Sequence, residues 1–260
     1  MSLFVSHGAP DLLITQVPAH DFLRELGTQL PKPRFVVVAS AHWLTREPRI
    51  DVSEKPRTIH DFSGFGVELE AASYPAPGAP EVARRAIELL RRAGHDAAGV
   101  ERGLDHGAWV PLTLLWPAAD VPVFQLSLQP QRDARHHYEL GRALAPLVRE
   151  GDPKEGGLLL ASGGATHDLS RLGTPDDGSA QAFDDWLVAK AEAGDVEALL
   201  DWKQAAPSPK RAHPTDDHLL PLFVALGAAS LDSSNAAPAR ATTLHRSVTY
   251  GSLHMTAFRF

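Results

Sequence analysis

Three short apolar runs stand out along this chain, and each leads into a histidine. They are Leu3-Phe4-Val5 before His7, Phe35-Val36-Val37-Val38-Ala39 before His42, and Leu158-Leu159-Leu160-Ala161 before His167. Continuous aliphatic runs of this length predict strands buried on both faces of a parallel sheet. Each histidine is expected in the turn just past the carboxyl end of its strand. In open α/β sheets that edge is where ligands bind.

Between the runs the period changes. Helices are predicted over Ala19–Leu30, ended by Pro31-Lys32-Pro33, and over Pro80–Ala93, with Val82, Ala86, Leu89 and Leu90 on one face. A third covers Arg132–Arg149, with Tyr138, Leu140, Leu144, Leu147 and Val148 inward. Asp105–Trp116 reads as a turn entering a helix, and further helices are expected near Ala180–Ala193, Val196–Trp202 and Asp217–Leu226. Val121–Leu128 is a predicted strand, and the alternation in Thr243–Phe260 predicts a terminal strand pair.

Strands alternating with helices predict an α/β fold. The expectation is one domain over residues 1–260, with a central, mostly parallel or mixed sheet flanked by helices and the site at the carboxyl ends of the strands. Residues 53–80, rich in Pro, Gly and aromatics, show no sustained period, and loops this long inside compact domains are usually functional. Asp232–Ala239 reads as a surface loop.

Composition narrows the partners. The 260 residues are 43% hydrophobic, enough for a substantial core, and the net charge is −7. No long Lys/Arg block is present, so nucleic acid and anionic membrane surfaces are not expected partners. No apolar run approaches the roughly 20 residues needed to span a bilayer, and the first residues lack the basic region and cleavage site of a signal peptide. A cytoplasmic protein, monomeric or a small homo-oligomer, is expected.

The chain has thirteen histidines and no cysteine. That excludes disulfides, thiolate zinc sites, iron–sulfur clusters and a cysteine nucleophile. Any metal must be held by nitrogen and oxygen.

Each histidine has a bland reading beside the chemical one. His7, in Ser6-His7-Gly8-Ala9-Pro10, is a ligand candidate because glycine lets the backbone come close to an ion; it is otherwise a satisfied turn histidine. His42 beside Trp43 could equally be a core imidazole bonded to a carbonyl. His167 follows Gly163-Gly164, which permit a tight turn, and Asp168 offers a carboxylate to orient the ring. His218 follows Thr215 and Asp216, good N-cap residues that place it in a first helical turn, where Asp216 and Asp217 also suit the helix dipole. His106 and His60 lie in turn-like segments. No Gly-rich phosphate loop and no Gly-x-Ser-x-Gly elbow occurs.

Taken together, these segments resemble the class III extradiol ring-cleavage dioxygenases, in the DOPA 4,5-dioxygenase branch of the LigB-like superfamily. The blocks that carry the resemblance run in order along nearly the whole chain: SHGAP (6–10), SAHW (40–43), TIHDFSGF (58–65), YPAPGAP (74–80), LDHGAW (104–109), SGGATHDL (162–169), HPTDDHLLPL (213–222) and GSLHM (251–255). The resemblance implies a metal on His7, His42 and His218, with His167 as acid/base or as a further ligand. The third ligand looks like His218 rather than the carboxylate of the usual two-histidine facial triad. Ala9 stands where many relatives carry serine.

The activity implied is ring opening of a DOPA-like or related catechol by O2 at Fe(II). His167 would move protons in both directions, and His106 would hydrogen-bond dioxygen or the departing oxygen. Trp43, Phe62, Phe65 and Trp109 are expected around the ring, with His60 and His213 as further substrate-binding residues. Arg57 and Arg171 flank two blocks and are the candidate partners for a substrate carboxylate. Three histidines with an open position also suit Zn(II), so a zinc-dependent hydrolase and a non-catalytic metal-binding protein on the same fold remain alternatives.

Overall fold

The computed structural model describes residues 1–149, 156–230 and 238–260. In chain order the elements are β1 (Ser2–Ser6), α1 (Pro18–Gln29), β2 (Val36–Leu44), β3 (Arg49–Asp51), α2 (Val67–Glu70), α3 (Pro80–Arg92), β4 (Ala98–Val100) and α4 (His106–Leu115). Then follow β5 (Val123–Leu128), α5 (Ala134–Arg149), β6 (Leu158–Gly163), α6 (Ser179–Ala193) and three short helices, α7 (Val196–Leu200), α8 (Trp202–Ala205) and α9 (Pro209–Ala212). The chain ends with α10 (Leu220–Ala229), β7 (Thr242–His245), β8 (Val248–Thr249), β9 (Leu253–His254) and β10 (Ala257–Arg259).

Eight strands form one mixed sheet in the order β4-β3-β5-β2-β6-β1-β10-β7. Its centre, β5-β2-β6-β1, is parallel, and β3, β10 and β7 join by antiparallel pairing. The three apolar runs are its middle strands. Their alternate residues serve two cores: Leu3, Val5, Val36, Val38, Leu158 and Leu160 face the layer holding Leu23, Trp109 and Leu112, and Phe4, Val37, Ala39, Leu159 and Ala161 face the other. Burial on both faces is why these strands read as unbroken apolar runs.

Helix α10 lies buried against α5 and β6, and its residues are apolar all round because no face meets water. Pro18 and Pro80 open α1 and α3, where a missing N–H costs nothing.

Four expectations change. β2 continues through His42 to Leu44, with a register shift between Ala39 and Leu44, so His42 sits on a strand rather than past it. α10 starts at Leu220, three residues later than the Asp217 expected from the capping residues, and His218 lies in the turn before it. The tail forms four short strands: β7 and β10 extend the main sheet, and β8 and β9 make a separate hairpin. The unpatterned stretch 53–80 contains α2 and bridges to the sheet region through Thr58–Leu104 and Gly78–Val123. Most of the loop expected at Asp232–Ala239 lies outside the described residues.

Candidate metal centre and active site

Strand order brings the histidines together. β2, β6 and β1 are parallel neighbours, so their carboxyl ends share one edge. His7 follows β1 directly, His42 lies near the end of β2, and His167 stands in the loop after β6. His106 opens α4. His218 reaches the same place from the turn before α10, held by Gly164 N–H donating to its carbonyl at 2.9 Å. Gly163 permits this approach, because a Cβ there would lie 2.1 Å from the His218 oxygen.

His7, His42 and His218 each offer a ring nitrogen to a common point, all within 4.8 Å of one another. The hydrogen bonds assign the tautomers of His7 and His218. Ser162 Oγ donates to the Gly107 carbonyl, so toward His7 Nδ1, 2.9 Å away, it can only accept. His7 therefore carries its proton on Nδ1 and presents a bare Nε2. His218 Nδ1 donates to Asp217 Oδ2 at 2.5 Å, and its Nε2 is buried with no partner. His42 Nε2 faces His7 Nε2 at 3.0 Å, and Asp61 Oδ2 stands 3.6 Å behind its Nδ1.

Converging, outwardly oriented imidazoles of this kind fit a divalent cation. The orphaned His218 Nε2 supports that fit, as does the small residue Gly107. A Cβ at position 107 would come within 2.5 Å of Ser40 Oγ and 2.9 Å of His42 Cδ2.

Burial, followed by repulsion from the neighbouring imidazoles, pushes the pKa values down to about 2 for His42 and about 3 for His167. His7 is lowered for the same reasons. His218 is lowered by burial against the opposing pull of Asp217. All four are neutral at pH 7, the state a metal ligand or a base requires. Burial raises the Asp61 carboxyl, but hydrogen bonding and charge attraction from His106 outweigh it and hold the group at about 2.

The histidines floor a cavity of about 480 Å³. His42, His106, His167 and His218 line it together with Phe62 and Phe65. The His167 ring stacks on His218 with centroids 3.2 Å apart and planes 9° from parallel. His106 lies 3.9 Å from the His42 centroid, with its Nδ1 3.0 Å from Asp61 Oδ1.

The structure places several of the expected site residues away from this cavity. Trp43 is buried beneath the Arg102 guanidinium, and Trp109 is a core residue donating to the Ile59 carbonyl; neither lines the cavity. His60 is exposed, with its Nε2 2.9 Å from the Ala72 carbonyl and its ring against Phe62 and Trp109; it does not line the cavity. His213 is buried between Phe183 and Trp202, with its Nε2 on the Ala165 carbonyl. Asp168 caps Ser170 instead of orienting His167. The two arginines are engaged elsewhere: Arg57 donates to the Arg102 carbonyl and Arg171 to Asp177. The orienting groups Ser162 and Asp61 escaped sequence reasoning, since a lone serine or aspartate carries no signal without its spatial partner.

Residues 3–256 match the family described as the catalytic LigB subunit of aromatic ring-opening dioxygenase. The chain belongs to this family. Over its whole length it is 41% identical to a 4,5-DOPA dioxygenase extradiol of Beta vulgaris, covering 96% of that protein, and 39% identical to one of Portulaca grandiflora, covering 95%. A 4,5-DOPA dioxygenase extradiol of Escherichia coli K12 is 37% identical over 87% of this chain and 84% of its own.

The crystal structure of an uncharacterized Escherichia coli K12 protein superposes with a TM-score of 0.77 at 31% identity, covering 99% of this chain and 98% of that one. The LigB-family chain is thus an extradiol, ring-opening dioxygenase, metal-dependent and acting on a small molecule with O2. The hydrolase and non-catalytic alternatives are not favoured. Among the described residues, no helix is long and apolar enough to cross a membrane.

Proposed function

We propose that this LigB-family dioxygenase opens the ring of a catechol, DOPA-like or related, using Fe(II) held by His7, His42 and His218. The observation that carries the reading is the convergence of three neutral imidazoles, one with a buried, unpartnered Nε2, at the base of an aromatic-walled cavity. The names of the relatives support a catechol as the substrate. Bound iron supplies Lewis acidity to the catechol hydroxyls and a route for electrons from the ring to dioxygen.

The chain's own residues do the rest. His167 is neutral at pH 7 and lines the cavity, so it can take a proton from a catechol hydroxyl and return it as the ring opens. His106, backed by the ionised Asp61, is placed to hydrogen-bond an oxygen of substrate or dioxygen. Phe62 and Phe65 shield the ring from water. Both oxygen atoms of O2 end in the ring-opened semialdehyde.

The test is aerobic incubation of Fe(II)-loaded protein with a catechol panel, following the visible chromophore of the ring-opened product. Product is expected with iron and not with Zn(II). If no catechol yields the chromophore while iron is bound, the proposal fails.

A further inference from the structure

His42 lies on a stretch of β2 that the sheet does not hold. Pairing with β6 ends at Ser40, and pairing with β5 breaks after Ala39 and resumes at Leu44. Side chains bond its backbone instead. The His42 N–H donates to Ser40 Oγ at 3.2 Å, and its carbonyl accepts from Arg102 Nη2 at 3.2 Å.

Both of those side chains end on the same carboxylate. Ser40 Oγ donates to Asp105 Oδ1 at 2.6 Å, and Arg102 Nη1 donates to Asp105 Oδ2 at 2.9 Å. Asp105 is fully buried and caps α4, accepting from Ala108 N–H at 3.2 Å, so it fixes the start of the helix that carries His106 and Gly107.

Arg102 is itself firmly placed. The Asp51 carboxylate accepts from the N–H groups of Arg102 and Gly103 at 3.2 and 3.0 Å, and the guanidinium lies 4.9 Å from the centre of the Trp43 ring. One planar group thus serves a carboxylate, a carbonyl and an indole. A guanidinium can donate from separate nitrogens while it stacks, whereas an ammonium is a compact point charge without that fork.

We infer that Arg102 is a positioning residue of the metal centre, tying the His42 backbone to Asp105 and so setting His42 against His106. The inference rests on the ligand reading above, with the cation on His7, His42 and His218.

Two variants test it. Arg102→Lys keeps the charge beside Asp105 but not the fork. Arg102→Met combined with Asp105→Asn removes the ion pair without stranding a buried charge. In both, Zn(II) affinity measured by competition with a chelating dye should fall about tenfold or more. The urea midpoint of metal-free Arg102→Lys should stay near that of the parent. The visible d–d bands of the Co(II)-loaded protein should change in both variants, because they report how the ligands are arranged and not how stable the chain is.

Co(II) bands identical to the parent's in both variants overturn the inference, whether or not binding weakens. His218→Ala judges the underlying reading. If that variant binds Zn(II) as tightly as the parent, the ligand assignment falls and takes the inference with it. If it loses the metal while the Arg102 variants keep the parent's bands, the inference alone falls.

Discussion

His7 Nδ1 lies 2.9 Å from Ser162 Oγ, and the hydroxyl hydrogen of Ser162 is already engaged by the Gly107 carbonyl. This relay fixes one imidazole as the Nδ1–H tautomer and frees Nε2 for a cation. Ser162→Ala leaves a buried N–H unpaired and the ring free to turn. Metal affinity should fall about 10- to 100-fold with the fold intact, as expected for loss of an orienting hydrogen bond. Equilibrium dialysis against Fe(II) or Zn(II) reads this directly, and an unchanged affinity would remove Ser162 from the centre.

Gly107 packs between Ser40, His42 and His7. Gly107→Ala places a methyl 2.5 Å from Ser40 Oγ, where the hydroxyl donates to buried Asp105 at 2.6 Å. Overpacking of this kind costs about 1–3 kcal/mol. Chemical denaturation should show that loss, and His42 should be displaced enough to weaken metal binding in the same protein.

His167 is assigned proton transfer. Replacing it with alanine is expected to retain bound metal and lower kcat by about 10²- to 10⁴-fold, the usual contribution of a positioned acid or base. Metal content measured beside turnover separates the roles. If His167→Ala loses the metal as well, the residue is a ligand and the assignment is wrong.

His137 provides a pH test remote from the metal centre. Its Nδ1 donates to the Asp133 carbonyl at 2.8 Å, and its Nε2 accepts from Gln129 N–H at 3.1 Å. Burial pushes its pKa down from 6.5 to about 4, since a proton on Nε2 would have no acceptor. The unfolded chain binds the proton first. Stability from this group is therefore full above pH 6.5 and falls as pH drops toward 4, by about 3 kcal/mol at most. Urea midpoints between pH 7 and pH 4.5 should fall more steeply for the parent protein than for His137→Gln.

The fold was legible where local pattern is enough. Val36-Val37-Val38 and Leu158-Leu159-Leu160 announce strands through length and branching alone, and both stand at the centre of the sheet. The short edge strands Arg49–Asp51 and Ala98–Val100 were not legible. Three residues carry no period, and their pairing depends on what lies beside them.

At the candidate site, the sequence by itself determined the ligand chemistry, nitrogen and oxygen without sulfur, and the histidines that follow or lie on the central strands. Those properties belong to residue type and local order. Only the tertiary structure decided which groups meet. Ser162 reaches His7 across 155 positions because β6 pairs in parallel with β1. Asp61 comes to stand 3.0 Å from the His106 ring and 3.6 Å from His42 from a loop with no sustained hydrophobic period. His213 is turned to the Ala165 carbonyl, and the arginines are drawn to other partners. Side-chain pairing over such separations depends on strand order and helix placement, which no single segment encodes.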